Sequence, residues 1–106
     1  MKIYTSETVG DARVVESLGL VCGSVVQSKH IGRDIMAGLK TLVGGEIRGY
    51  SEMMIEARNT AIERMRAEAR ALQADAVISV RFTTSAIQQG MCELLAYGTA
   101  VRLEPL

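Results

Sequence analysis

From Ser51 to Ala74 the chain runs without a glycine or a proline, and Met54, Ala57, Ala61, Met65, Ala69 and Leu72 recur at steps of three and four residues. This spacing lays one apolar stripe along a helix and leaves Glu52, Glu56, Glu63, Arg66 and Arg70 largely outside it. The segment therefore predicts a long helix over 51–74, with Ser51 as cap and Glu52 in the first turn. A stripe of Ala and Met is short and adaptable, so it lets a helix lie close to a sheet and reads as packing, not as a set of sulfur ligands. Glu63 and Arg66, three residues apart on the exposed side, make an ion pair contributing about 0.3 kcal/mol.

The rest of the chain alternates. Residues 2–5 read as a short strand. Leu18 to Ser28 reads as a second, with Leu18, Leu20, Cys22, Ser24 and Val26 on one face and Val21, Gly23 and Val25 on the other. Both faces are apolar or small, which suits a strand covered by its own helix on one side and by a second subunit on the other. After Asp75, the residues Ala76, Ile78, Val80 and Phe82 form one apolar face against Val77, Ser79, Arg81 and Thr83. Met91 to Leu103 alternates in the same way, and Gln88-Gln89-Gly90 supplies a hairpin turn between the two. Between Gly32 and Gly45, Ile35, Leu39, Leu42 and Val43 mark a short helix that Gly44-Gly45 ends. The expected fold is α+β: one domain over 1–106, a small antiparallel sheet packed on one long helix, plus a short helix. A sheet of three or four strands leaves two edges, and pairing one or both with another copy closes a ring.

Composition narrows the functional classes. Twelve Lys and Arg balance twelve Asp and Glu, so no surplus of positive charge exists to displace counterions from a nucleic acid. The longest apolar run, Leu18 to Val26, is broken by Gly23 and Ser24 and is far shorter than the roughly 20 residues a spanning helix needs. Residues 1–17 lack the basic start and apolar centre of an export signal, which makes the cytoplasm the expected compartment and a membrane partner unexpected. With no Trp, one Phe and three Tyr, the core is built of small side chains, and a domain of this size gains from self-association.

Chemistry has few places to reside. His30 is the sole histidine and follows the second strand, no Ser, His and acid spacing suggests a triad, and no glycine-rich loop has phosphate-binding spacing. The expectation is a protein that is not an enzyme. Cys22, Cys92 and His30 are the soft or borderline metal ligands besides methionine, too few to close a tetrahedral site within one subunit. A ring supplies the missing ligands by symmetry, placing several copies of one cysteine around an axis. In a reducing compartment the two cysteines otherwise serve as small buried hydrophobes. The densest polar cluster is Ile31-Gly32-Arg33-Asp34 with Gly44, Gly45, Arg48, Gly49 and Tyr50. Its glycines allow close backbone approach, and its arginines and a helix N-terminus can converge on a carboxylate or phosphate. The plainer reading has Asp34 capping the short helix, Gly44 and Gly45 ending it, and Tyr50 packing at a subunit interface.

These positions also carry a resemblance. Gly32-Arg33-Asp34, Ala37-Gly38-Leu39, Val43-Gly44-Gly45, Tyr50, Ala57-Arg58, Ala71 to Val77, Val80-Arg81-Phe82 and Tyr97 to Val101 occur in an order that resembles the YbjQ-like family of small prokaryotic proteins labelled heavy-metal-binding. The resemblance spans nearly the whole chain. It implies a dodecin-like subunit assembled as a ring-shaped homopentamer, of undefined physiological role. The chain departs from the family where Leu72-Gln73-Ala74 replaces Leu-Gly-Ala, which removes a glycine from the end of the long helix, and Cys22 and Cys92 fall outside the shared motifs. The reading that follows is a homo-oligomer binding a small ligand or a metal ion in a central channel or between subunits. Arg33, Asp34, Gly44, Gly45, Tyr50 and Arg58 are its candidate ligand-binding or interface residues. The alternatives are a ring that presents a surface to another protein without a small ligand, and a thiol-dependent metal carrier.

Overall fold

The computed structural model describes residues 1–28, 48–88 and 91–106. In chain order these form β1 (Lys2–Ile3), β2 (Ala12–Ser28), the helix α1 (Arg48–Ala71), β3 (Ala76–Gln88) and β4 (Met91–Pro105). The sheet order is β1-β3-β4-β2. β4 is antiparallel to both β2 and β3, as the alternation predicts, and Gln88 faces Met91 across the hairpin. β1 instead runs parallel to β3, so the sheet is mixed where a wholly antiparallel one was expected. The long crossover from β1 through β2 and α1 permits that direction. The chain then continues alongside β3, where the Val80 N–H donates to Tyr4 O at 2.9 Å and the Ser79 N–H to Ser6 O at 2.9 Å. The expected short helix between Gly32 and Gly45, and Gln89 and Gly90 of the turn, lie outside the described residues.

α1 lies across one face of β2 and β4. Ala57, Ala61, Met65 and Ala69 of the predicted stripe are buried there, and Val21, Val77, Val80, Ala96 and Ala100 of the sheet complete the core. A second, smaller core on the opposite face joins Val9, Ala76, Ile78 and Val101 under the chain entering β2. The expected single apolar face of β3 is thereby divided: Val77 and Val80 face the helix, and Ala76 and Ile78 face away from it. A register shift between Ile78 and Arg81 causes the division, with Ser79 at φ 55° absorbing the change of phase. β2 starts six residues before its predicted Leu18 for a related reason. Register shifts between Val14 and Glu16 and between Ser17 and Gly19 break the period of two, and Gly19, at φ 107°, supplies a conformation that side chains disfavour.

The helix begins at Arg48, so Ser51 lies inside it and is not the cap. It ends at Ala71, three residues early, leaving Leu72 42% exposed and outside the buried stripe. The ending is a Schellman turn: the Ala74 N–H donates to Ala69 O at 3.1 Å and the Gln73 N–H to Arg70 O at 2.9 Å. Gln73 itself takes the left-handed conformation at φ 61°. Its Oε1 accepts from Arg102 Nη2 at 3.2 Å on the surface, which offsets little of the strain. Gln73→Gly is therefore expected to stabilise the fold by about 0.5–1 kcal/mol, read as a higher urea midpoint at unchanged slope. The Glu63–Arg66 pair expected on the exposed side of α1 is present.

Candidate functional site

The two sheet edges differ. At the β3 edge, β1 and the segment after it cover only the first half of the strand. Phe82 to Gln88 are exposed throughout, and among the described residues no strand lies beyond them. Phe82 is 44% and Ile87 53% exposed, large apolar side chains on an arm that the helix does not cover. The Val80 N–H points outward to Tyr4 O, so Thr84, four residues on in the same strand, presents its N–H on the same open edge.

At the β2 edge the helix reaches over. Val21, Gly23 and Val25 face α1, whereas Leu20 and Val26 on the other face are 71% and 52% exposed, so among the described residues no element covers that face of β2. Arg64 Nη1 donates to Ser24 O at 2.5 Å, and the Cys22 N–H donates to Glu68 Oε1 at 3.4 Å. Two side chains one helical turn apart thus engage backbone groups two residues apart along the strand. The sequence reading placed neither residue at a site. The signal was present only as an Arg and a Glu four residues apart, a common surface pattern.

The register separates the two cysteines. Cys92 lies opposite Gln27 and Cys22 opposite Tyr97. Cys22 and Gln27 are five residues apart on one strand, an odd number, so the thiols point to opposite faces and stand roughly 16 Å apart along the sheet. Cys92 Sγ is 3.9 Å from Gln27 Oε1 on the helix side, and both cysteines are half-buried free thiols. Among the described residues no three His, Cys, Asp or Glu side chains gather closely enough to hold a metal ion. A shallow groove of about 570 Å³ runs along α1 between Glu52 and Ala67, with Ile55, Asn59, Thr60 and Arg64 among its lining residues and mainly apolar atoms in its walls. Arg58 is exposed on the same helix, and the backbone of Tyr50 lies in its first turn. His30, Arg33, Asp34, Gly44 and Gly45 lie outside the described residues. No described helix is long and apolar enough to cross a membrane.

Comparison with known proteins agrees with this architecture. A crystal structure of a protein of unknown function in the DUF74 family, from Pediococcus pentosaceus, superposes with a TM-score of 0.58 at 15% identity, covering 96% of each chain. At that identity the likeness concerns the fold. A UPF0145 protein of Vibrio campbellii is 63% identical over 99 residues, covering 93% of this chain and 95% of the relative. Another, from Thermotoga petrophila, is 59% identical over 106 residues and covers both chains fully. The family model described as "Putative heavy-metal-binding" matches residues 1–104. Matched almost from end to end by that model, and close to 60% identical to full-length relatives, the chain belongs to the YbjQ-like family.

Proposed function

We propose that the protein is a non-enzymatic homo-oligomer, a pentameric ring by its family resemblance, that binds a metal ion or small ligand in a central channel or between subunits. The observation that carries the reading is the β3 edge, where among the described residues no strand pairs with the outer side of Phe82 to Gln88 and exposed apolar side chains face another copy. The family's description as heavy-metal-binding supports the metal as one class of ligand. Arg33, Asp34, Tyr50 and Arg58 are the proposed polar contributors. Cysteine from several copies around the axis is the geometry in which a soft ion gains enough ligands, because one subunit holds its two thiols apart.

Native mass spectrometry of freshly purified protein tests the proposal in one spectrum. A pentamer carrying a reproducible metal or small-molecule mass supports it, and a monomer at micromolar concentration overturns it. A pentamer without an adduct, even after incubation with soft and borderline metal ions, favours the second reading: a ring that presents its exposed apolar surface to a protein partner, for which Leu20 and Val26 are available. Three variants refine the outcome. Thr84→Pro removes an outward backbone donor from the β3 edge and is expected to shift the spectrum to smaller species. Cys22→Ser and Cys92→Ser are each expected to leave the subunit count unchanged, and loss of a bound soft ion in one of them identifies the ligating thiol.

A further inference from the structure

We infer that the β3 edge of one copy adds in parallel to the β2 edge of the next, with every helix on the same side of the joined sheet, an inference that rests on the ring proposed above. A ring of more than two copies repeats one head-to-tail contact, so two different patches meet at each junction. Among the described residues the sheet offers two such patches: the outer side of β3 from Phe82 to Ala86, and the outer side of β2. Pairing β3 with β3, or β2 with β2, takes half a turn and closes a pair of copies, not a ring.

The direction follows first from the topology. β2 and β3 are each antiparallel to β4, so they run the same way within a subunit. Placing the next copy by rotation about a ring axis keeps that direction, and β3 meets the neighbouring β2 in parallel. The pleat gives the same answer independently. On β2 the outward groups belong to Cys22, whose N–H donates to Glu68 Oε1, and to Ser24, whose carbonyl accepts from Arg64 Nη1. These residues alternate with Val21, Gly23 and Val25, so they occupy the face away from α1. On β3 the outward groups belong to Phe82, Thr84 and Ala86, in phase with the Val80 N–H that donates to Tyr4 O. Those three lie opposite Ala96, Leu94 and Cys92, on the helix face. Outward residues thus sit on opposite faces at the two edges. In an antiparallel junction, residues that exchange bonds stand directly opposite and share a face. In a parallel junction, each outward residue stands beside one whose groups turn away, so the outward residues of the two strands lie on opposite faces. Only the parallel junction therefore joins helix side to helix side. The incoming strand's N–H and C=O groups replace Arg64 and Glu68, both exposed side chains, like for like at Ser24 and Cys22.

Cysteine cross-linking reads edge and direction together, because neighbouring strands stand about 4.8 Å apart, within the span of a disulfide. In a Cys92→Ser background, Thr83→Cys and Ser85→Cys place a thiol on the open face of β3, the face that carries the native Cys22 on β2. Thr84→Cys and Ala86→Cys place one on the helix face. Moving the β2 thiol from Cys22 to Ser24→Cys or Val26→Cys samples the register. Native mass spectrometry first selects the variants that keep the wild-type subunit count, and two exposed positions per face maintain the comparison if one is lost. After mild oxidation the open-face variants are expected to run on a non-reducing gel as a ladder of covalent species up to the full ring, and the helix-face variants as single chains. A ladder from the helix-face variants alone overturns the parallel direction. Covalent dimers that persist after Cys22→Ser place β3 against β3 and overturn the choice of edge. A ring in which no combination cross-links overturns the inference and leaves the ring reading standing, whereas a monomeric wild type refutes both.

Discussion

Gly23→Ala is expected to destabilise the fold by about 3 kcal/mol or more, the cost of forcing atoms into a contact that cannot relax locally. A Cβ built on Gly23 falls 2.7 Å from Arg64 Cβ and closer still to Ala61 O and Met65 N. Two of these three neighbours are helix backbone, which cannot turn aside as a side chain can. To admit one methyl group, α1 has to lift from β2, loosening Ala61 and Met65 from Val21 and Ala96 at the centre of the core. Gly10→Ala is the control, because a Cβ there meets nothing within 4 Å. Urea unfolding of the two variants against wild type checks the expectation. A Gly23→Ala protein within about 1 kcal/mol of wild type would show that the helix is not seated as closely as described.

The second large effect is expected at Met65, the largest of the fully buried side chains. Met65→Ala should cost about 4 kcal/mol, toward the upper part of the range for such truncations. The position in that range follows from the neighbours. Ala61, Ala69, Ala96 and Ala100 share the cluster, and alanines have no side chain that can swing into the void. Among the other buried members only Val21, Val77 and Val80 have side chains to relax, with Met1, Ile3, Leu18 and Val25 packed at the margin, and β-branched side chains are held in few rotamers. Met65→Leu conserves most of the volume and should cost less than about 1.5 kcal/mol. Calorimetric melting of both separates the cavity from the chemistry of the side chain: equal losses would place the importance of Met65 in its thioether and not in its bulk.

The same cluster explains which parts of the fold were legible in advance. The Ala and Met stripe named its own partner, because a helix with such short side chains excludes little and must lie against a surface equally small, here Gly23, Ala96 and Ala100. The β4 alternation was legible because the extra residue of the register shift opposite it lies on β3, which leaves the inward face of β4 unbroken from Leu94 to Ala100. In β3 the same reasoning grouped Val80 with Ala76 and Ile78, and one residue at φ 55° reversed it. The candidate site was less legible. The cysteines could be counted from the chain, but whether two thiols meet depends on strand register, and a pairing of Cys92 with Gln27 sets them on opposite faces. Arg64 and Glu68 carried no signal above that of any charged pair on a helix, since their meaning lies in the strand beneath them.

By itself, then, the sequence determined the elements: the long helix, the two hairpin strands, the small-residue interface and the family. These rest on periodicity and order, which are local and survive in a string of letters. The tertiary structure alone decided the direction of β1, the phase changes in β2 and β3, the separation of the thiols and the difference between the two sheet edges. Each depends on which backbone groups are left over after the strands have paired. An N–H or C=O is identical in every residue, so its partner is fixed by the packed chain and not by the side chain that happens to sit beside it.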